Sequence, residues 1–350
     1  MSQQALPDVA DDWFAAMRRG DWESAWRATD RLELPRRAQQ REPGFVRRAE
    51  HLRWDGSPLA GRSVLVRCEH GLGDTLQFMR FVPHLGAREV HFMVQPPLVP
   101  LLRDAPGLGA VRNYWTDDPL PPHEVDVEVM ELAYVLRTTL ATLPPPYPHL
   151  EGQLPRDPLQ LPAEGRLRVG LLWAASDWDC TRSVPLPALA PLFALEEVQL
   201  YALQQGEAGA DPLLQRLDIE RLAPRTTDIG MAAVAMSQLD VVITIDGMPA
   251  HLAGTLGRPT WVMLKHEADW RWMEQRADTP WYPTMRLFRQ PRPGDWNTVA
   301  QQVAMQLRCL AQEQHQGEPV IPAQAVTQGA LGSRLRGNNG GGGLRSFPAR

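Results

Sequence analysis

Apolar positions change their period twice along the chain. Residues 11–34 (DDWFAAMRRGDWESAWRATDRLEL) place Trp13, Phe14 and Met17 on one helical stripe, break at Gly20-Asp21, and resume with Trp22, Ala25 and Trp26. That pattern predicts a helical hairpin. One hairpin cannot bury its own apolar face, so it must pack on the main body or on a partner. After a polar stretch at 35–50, residues 63–68 (SVLVRC) form a short β-branched run that ends in EHGLGD. Apolar spacing at Leu76, Met79, Val82 and Leu85 follows, which reads as strand, glycine turn, helix. Further strand-like runs lie at 90–94, 111–115 and 125–130.

Residues 141–165 hold seven prolines in 25 positions, too many for a helix or a central strand, and read as an interdomain linker. The alternation resumes with strands at 167–173, 198–203 and 240–245, a helix at about 250–256, a strand at 260–264 and a closing helix at 296–310. Strands alternating with helices predict parallel sheets covered on both faces. Residues 311–350 turn Gln-rich and then Gly-rich without apolar periodicity, and are expected to be disordered.

Composition narrows the function classes. With 43% apolar and 22% charged residues, the 350-residue chain is long enough for two globular domains. A net charge of -5 argues against a nucleic-acid partner. Lys265 is the only lysine among 36 basic residues; arginine suits diphosphates, but the excess is spread over the whole chain. Cys68, Cys180 and Cys309 are far apart with no metal-ligand spacing, as in a reducing compartment. The N-terminus lacks a signal-peptide pattern, and no apolar run is long enough to span a bilayer. A cytoplasmic location is expected, with peripheral contact at the inner face of the membrane left open.

Four segments carry candidate chemistry. Gly71-Leu72-Gly73-Asp74 is a strand-to-helix turn whose glycines allow close backbone approach to an anion. The dinucleotide glycine fingerprint is not completed, which disfavours a nicotinamide-dependent enzyme. On spacing alone Asp74 reads first as a helix N-cap and second as a general base. Asp246, Gly247, Met248, Pro249, Ala250 and His251 follow a buried strand at the sheet edge where ligands of doubly wound folds gather. Pro249 suits a first helical turn, and the helix terminus there can stabilise a diphosphate. His251 is equally readable as a ligand contact or a satisfied core histidine. The loop 173–183 supplies Ser176, Arg182 and Ser183; Arg182 is either a phosphate contact or a solvated surface arginine. Lys265 heads the segment 265–271 at the same sheet edge, and Trp270, Trp272, Trp281 and Tyr282 are expected to fill a core or interdomain seam.

Three stretches, WDGSPLAGRSVLVRCEHGLGDTLQFMRFVPHL, IDGMPAHLAGTLGRPTWVML and DWRWMEQRADTPWYPTMRLFRQ, resemble the glycosyltransferase family 9-like domain. That domain is related to the ADP-heptose–lipopolysaccharide heptosyltransferases and often follows tetratricopeptide repeats in bacterial proteins. The resemblance covers about residues 52–308. It implies an α/β fold of GT-B type, in which two Rossmann-like domains face a cleft, behind a hairpin remnant at 1–50. The acceptor domain would span 51–140, the linker 141–165 and the nucleotide-sugar domain 166–310. It implies inverting transfer of a sugar, ADP-heptose-like among the candidates, to a glycan, lipid-linked or protein acceptor, with no cofactor and no metal. Carried over by residue, Asp74 is the base and Arg182 a phosphate contact, while Asp246, Gly247, His251, Leu252 and Ala253 form the donor motif. Gly247 replaces the family's usual threonine, Pro249 removes an N–H, and His70 replaces a common glutamine. These departures imply the alternative, a catalytically degenerate nucleotide-sugar-binding or scaffold protein.

Overall fold

A computed structural model describes residues 5–40, 54–156, 159–162, 165–175 and 179–315. The chain begins with α1 (Ala5–Arg19) and α2 (Trp22–Gln40). Gly20 closes the first helix at φ 77°, a left-handed conformation that glycine adopts without a Cβ clash. The hairpin packs on the main body. Trp13 meets Trp270 edge-on at 5.1 Å, Trp22 stacks on Trp281 at 4.9 Å, and the Trp26 indole donates to the Thr138 carbonyl at 2.6 Å. Helix α2 runs past the end expected at residue 34, through Pro35. Its last turns are held by tertiary contacts: Arg36 donates to the Trp54 carbonyl at 2.7 Å, and the Arg37 guanidinium lies 4.3 Å over the Trp54 ring.

The body contains two parallel sheets. In the first, β1 (Ser63–Arg67), β2 (Glu89–Val94), β3 (Ala110–Asn113) and β4 (Val125–Glu128) lie in the order β3-β2-β1-β4. The second contains β5 (Leu167–Leu171), β6 (Val198–Ala202), β7 (Ile219–Arg221), β8 (Val241–Ile245), β9 (Thr260–Leu264) and β10 (Met285–Arg289), in the order β10-β9-β8-β5-β6-β7. Every strand pairing is parallel. Strands β1, β4, β8 and β9 are buried along their whole length, as sheets covered on both faces require.

Strand order reverses between β1 and β4 in the first sheet and between β5 and β8 in the second. The crevices beyond the carboxyl ends of these pairs are the places where a doubly wound sheet accommodates a ligand. Helix α3 (Leu72–Phe78) leaves the first crevice, and a second helix, Met248–Thr255, leaves the other. Between β7 and β8 runs α4 (Ile229–Ser237), which makes the helix beginning at Met248 α5. The closing helix α6 (Trp296–His315) extends five residues beyond the predicted end at 310; the rest of the expected tail, 316–350, lies outside the described residues.

One apolar cluster joins residues of both sheets with Trp22 and Trp26 of the hairpin and Trp270, Trp272, Trp281 and Tyr282. The aromatic residues therefore fill the interdomain seam. Arg80, itself buried, crosses it by donating to the Trp281 carbonyl at 2.7 Å and the Pro144 carbonyl at 3.2 Å. The proline-rich segment is anchored in the same cluster by Tyr147, Leu150, Leu159 and Leu161. Among the described residues no helix is long and apolar enough to cross a membrane.

Candidate active site

A cleft of about 800 Å³ opens where the two sheets meet. It is walled on one side by the turn after β1 and on the other by the ends of β5 and β8. The two helix-entry turns touch at its floor. A Cβ added at Gly73 would fall 2.8 Å from His251 Cδ2 and 3.3 Å from Met248 Cα, so only glycine lets α3 approach α5 this closely. A Cβ at Gly247 would meet nothing nearer than Pro249 Cδ at 3.7 Å. The threonine that the family resemblance would place there has room, and its absence leaves that space to the cleft.

Gly73→Ala is therefore expected to cost about 1–3 kcal/mol of stability, because His251 is pinned and cannot yield. Gly247→Ala should stay within about 0.5 kcal/mol. Paired urea unfolding measures both, and equal midpoints for the two variants would refute the close-packed seam.

Asp74 occupies the third position of α3 rather than its N-cap, which is Gly71. Its Oδ2 accepts the Gly71 N–H at 2.9 Å, and its Oδ1 accepts from Arg271 at 2.7 Å. It thus caps the helix from within while facing the cleft. Arg271, on the short turn after β9, also donates to Asp269 at 2.8 Å and to Gln77 at 2.9 Å. One nearly buried guanidinium therefore ties the first sheet to the second.

His251 is buried, stacked on Trp272 at 5.6 Å, and its Nδ1 lies 3.1 Å from the Tyr282 hydroxyl. Burial, reinforced by Arg271 and Arg80, pushes its pKa down to about 3. The imidazole is neutral at physiological pH, a packed seam residue whose edge still borders the cleft. Asp246 is pushed up to about 6, first by burial and then by the charge of Asp269. Its carbonyl accepts from Arg182 Nη1 at 3.0 Å.

The α5 turn offers fewer amides than a full helix terminus. Pro249 has none, and Ala250 donates back to the Gly247 carbonyl at 3.0 Å. The Gly247 and Met248 N–H groups remain as its candidates for an anion.

Gly71, Gly73, Asp74, Arg182, Asp246, Gly247, Met248 and His251 all border the cleft. Other predicted residues lie elsewhere. Ala250 is fully buried in the seam. Ser183 Oγ accepts the Ala175 N–H at 2.9 Å and closes its own loop. Lys265 donates to Asp179 at 2.7 Å and to Thr181 at 3.1 Å, away from the cleft wall. Asp179, pulled down to about 2 chiefly by that lysine, lies 3.7 Å from Arg182, so Lys265 reaches the site only through the loop that carries Arg182. Ser176 lies outside the described residues. Asp269 and Arg271 border the cleft; the sequence pointed to their segment, 265–271, but gave neither residue a role. The available signal was their place just after β9, at the same sheet edge as Asp246.

Two parallel sheets facing one cleft at their reversal points define an α/β protein of GT-B type. No family model matches the chain. It is 25% identical over 294 residues, 74% of its length, to Protein FlbA of Caulobacter vibrioides, and it spans 48% of that protein. Among solved structures, it is similar to the glycosyl transferase family 9 from Veillonella parvula, with 12% identity and a TM-score of 0.48 over 73% of this chain and 99% of that one. It is also similar to ADP-heptose lps heptosyltransferase II of E. coli, with 15% identity and a TM-score of 0.45 over 72% and 99% of the two chains. A third similar structure is E. coli heptosyltransferase WaaC with ADP-2-deoxy-2-fluoro heptose, at 13% identity and a TM-score of 0.46 over 72% and 99%.

Proposed function

We propose that the chain is a glycosyltransferase that moves a sugar from a nucleotide diphosphate donor to a hydroxyl acceptor with inversion. The reading is carried by one observation: a cleft at the reversal point of the second sheet brings Arg182 and Arg271 to the wall that also holds the Asp74 carboxylate. Transfer needs a base on the incoming hydroxyl and stabilisation of the departing diphosphate. Asp74 takes the acceptor proton as the oxygen attacks the anomeric carbon. The sugar–phosphate bond breaks on the opposite face, and the diphosphate carries away the bonding pair. Arg182, Arg271 and the Met248 N–H receive the charge that develops. ADP-heptose fits as a donor because its diphosphate presents that charge; a glycan, lipid-linked or protein hydroxyl fits as the acceptor.

Asp246 sets a pH dependence. Its carboxylate repels a bound diphosphate, so donor affinity should rise as pH falls through about 6 and the group takes a proton. Calorimetry with ADP-, UDP-, CDP- and GDP-sugars tests the donor assignment. Arg182→Ala is expected to weaken the preferred donor by about tenfold or more. Unchanged affinity would remove Arg182 from the site, and no binding across the panel would end the reading. A second reading, a donor-binding protein without turnover, is favoured by Asp74 having both oxygens engaged; tight binding with no transfer to any acceptor would establish it.

A further inference from the structure

The N-terminal hairpin touches both halves of the molecule. We propose that it is a strap that holds the two sheets at one separation and so positions Arg271 against Asp74, with Trp13 and Asp30 as its positioning residues. That Arg271 receives donor charge rests on the glycosyltransferase reading above; the strap itself does not.

The contacts of the hairpin divide between the halves. From α1 to the start of α2 they run to the segment between β9 and β10. Trp13 meets the Trp270 ring edge-on at 5.1 Å, Trp22 stacks on Trp281 at 4.9 Å, and the Glu274 N–H donates to the Arg18 carbonyl at 3.1 Å. From Trp26 onward they run to the segment after β4. The Trp26 indole donates to the Thr138 carbonyl at 2.6 Å. Asp30 accepts from the Tyr134 hydroxyl at 2.7 Å and from two Arg137 nitrogens at 2.7 and 2.9 Å, a bidentate pairing that fixes direction as well as distance. Gly20 lies between the two sets. A Cβ there would fall 3.0 Å from Leu140 Cδ1 and 3.7 Å from Met273 Sδ, so the turn of the hairpin sits where the halves meet.

The strap ends beside the site. Arg271 belongs to a three-residue turn, Trp270–Trp272, and its guanidinium lies 4.4 Å over the Trp270 ring that Trp13 touches. The same guanidinium crosses the seam to Asp74 at 2.7 Å. Domains that share a cleft move against each other unless the contact between them is extensive, and a hydrogen bond of this length weakens within a few tenths of an ångström. The backbone that carries Arg271 is also strained. Met273 has φ 52° and ψ −174°, and Gln275 has φ 54°, conformations that residues with a Cβ keep only when their surroundings impose them. Glu274, between these two, is the residue whose N–H is bonded to the hairpin. Trp13 and the Arg18 carbonyl therefore hold the strained turn in place, while Asp30 ties the same hairpin to the half that carries Asp74.

Pulsed dipolar EPR on the full chain tests this. Spin labels at Arg103→Cys, exposed in the first-sheet half, and at native Cys309, exposed on α6, report the separation, with Cys180→Ser removing the other exposed thiol. The parent should give one narrow distance. Trp13→Ala and Asp30→Lys, the latter setting like charges against Arg137, cut opposite ends of the strap. Each should broaden the distance and weaken ADP binding about fivefold or more. Trp13→Phe keeps a ring against Trp270 and should recover most of both effects. Val299→Ala, on α6 in the other apolar cluster, should lower the urea midpoint and change neither readout. An unchanged distance in both Trp13→Ala and Asp30→Lys would overturn the proposal. So would a broadened distance with ADP affinity intact, or weaker ADP binding in Trp13→Ala alone, which would make Trp13 local packing beside Arg271. If Trp13→Ala does not fold, Asp30→Lys alone decides. Failure of ADP to bind the parent, with the distances responding as expected, would strike the donor reading and leave the strap standing.

Discussion

Arg271→Met is expected to lower stability by about 3–5 kcal/mol and to abolish measurable donor binding. The guanidinium is only 11% exposed and contacts Asp74 at 2.7 Å and Asp269 at 2.8 Å. It also donates to Gln77 and lies 4.4 Å over the Trp270 ring. Methionine fills the volume but leaves Asp74 and Asp269 without their shared cation, next to an Asp246 that is already pushed up to about 6. Asp246 is held down in part by Arg271, so its pKa should rise further in the variant. The sign follows directly. Carboxyl groups whose folded pKa exceeds the unfolded value stabilise the protein below that unfolded value and lose the contribution as pH rises through the folded one. The deficit relative to the parent should therefore be larger at pH 8 than at pH 5 in urea unfolding. A deficit of equal size at both pH values would mean that Arg271 acts through packing alone. Arg271→Lys keeps the charge but cannot bridge three acceptors, and should recover less than half of the loss.

The same residue shows where sequence reading stops. Its partner Asp74 is 197 positions away, and no local pattern couples a residue of the loop after β9 to the turn after β1. The turns themselves were legible because a β-branched run followed by glycines and small residues has few other solutions. Elements fixed by tertiary context were harder to see. Strand β7 is three residues long, and α4 (IGMAAVAMS) is apolar around most of its circumference and so shows no stripe. Helix α2 continues through a proline because Glu33 and Arg37 are buried against the body. Side-chain roles followed the same division. Gly71 and Gly73 could be placed from their turn, whereas Ser183 and Lys265 were drawn to the site by type and position although their polar atoms are taken up by Ala175 and Asp179. Glu128 was not singled out from the sequence; only the reversal of strand order beside β4 makes it the wall of a cavity.

Asp74→Asn is expected to reduce kcat by about 10²–10⁴ fold while changing donor affinity by less than about threefold. The aspartate accepts two hydrogen bonds, one on each oxygen, from Gly71 and Arg271. An asparagine has one acceptor oxygen, so its amide group must face one of these two donors. Because the Gly71 bond caps α3, the variant also loses about 1 kcal/mol of stability, a small effect beside the catalytic one. The two effects separate in one experiment. Asp74→Ser removes the carboxylate and the Arg271 pair but can still cap weakly, and should be as inactive as the asparagine variant. If turnover survives in both, the carboxylate only holds α3 and Arg271 in place and the proton leaves by another route.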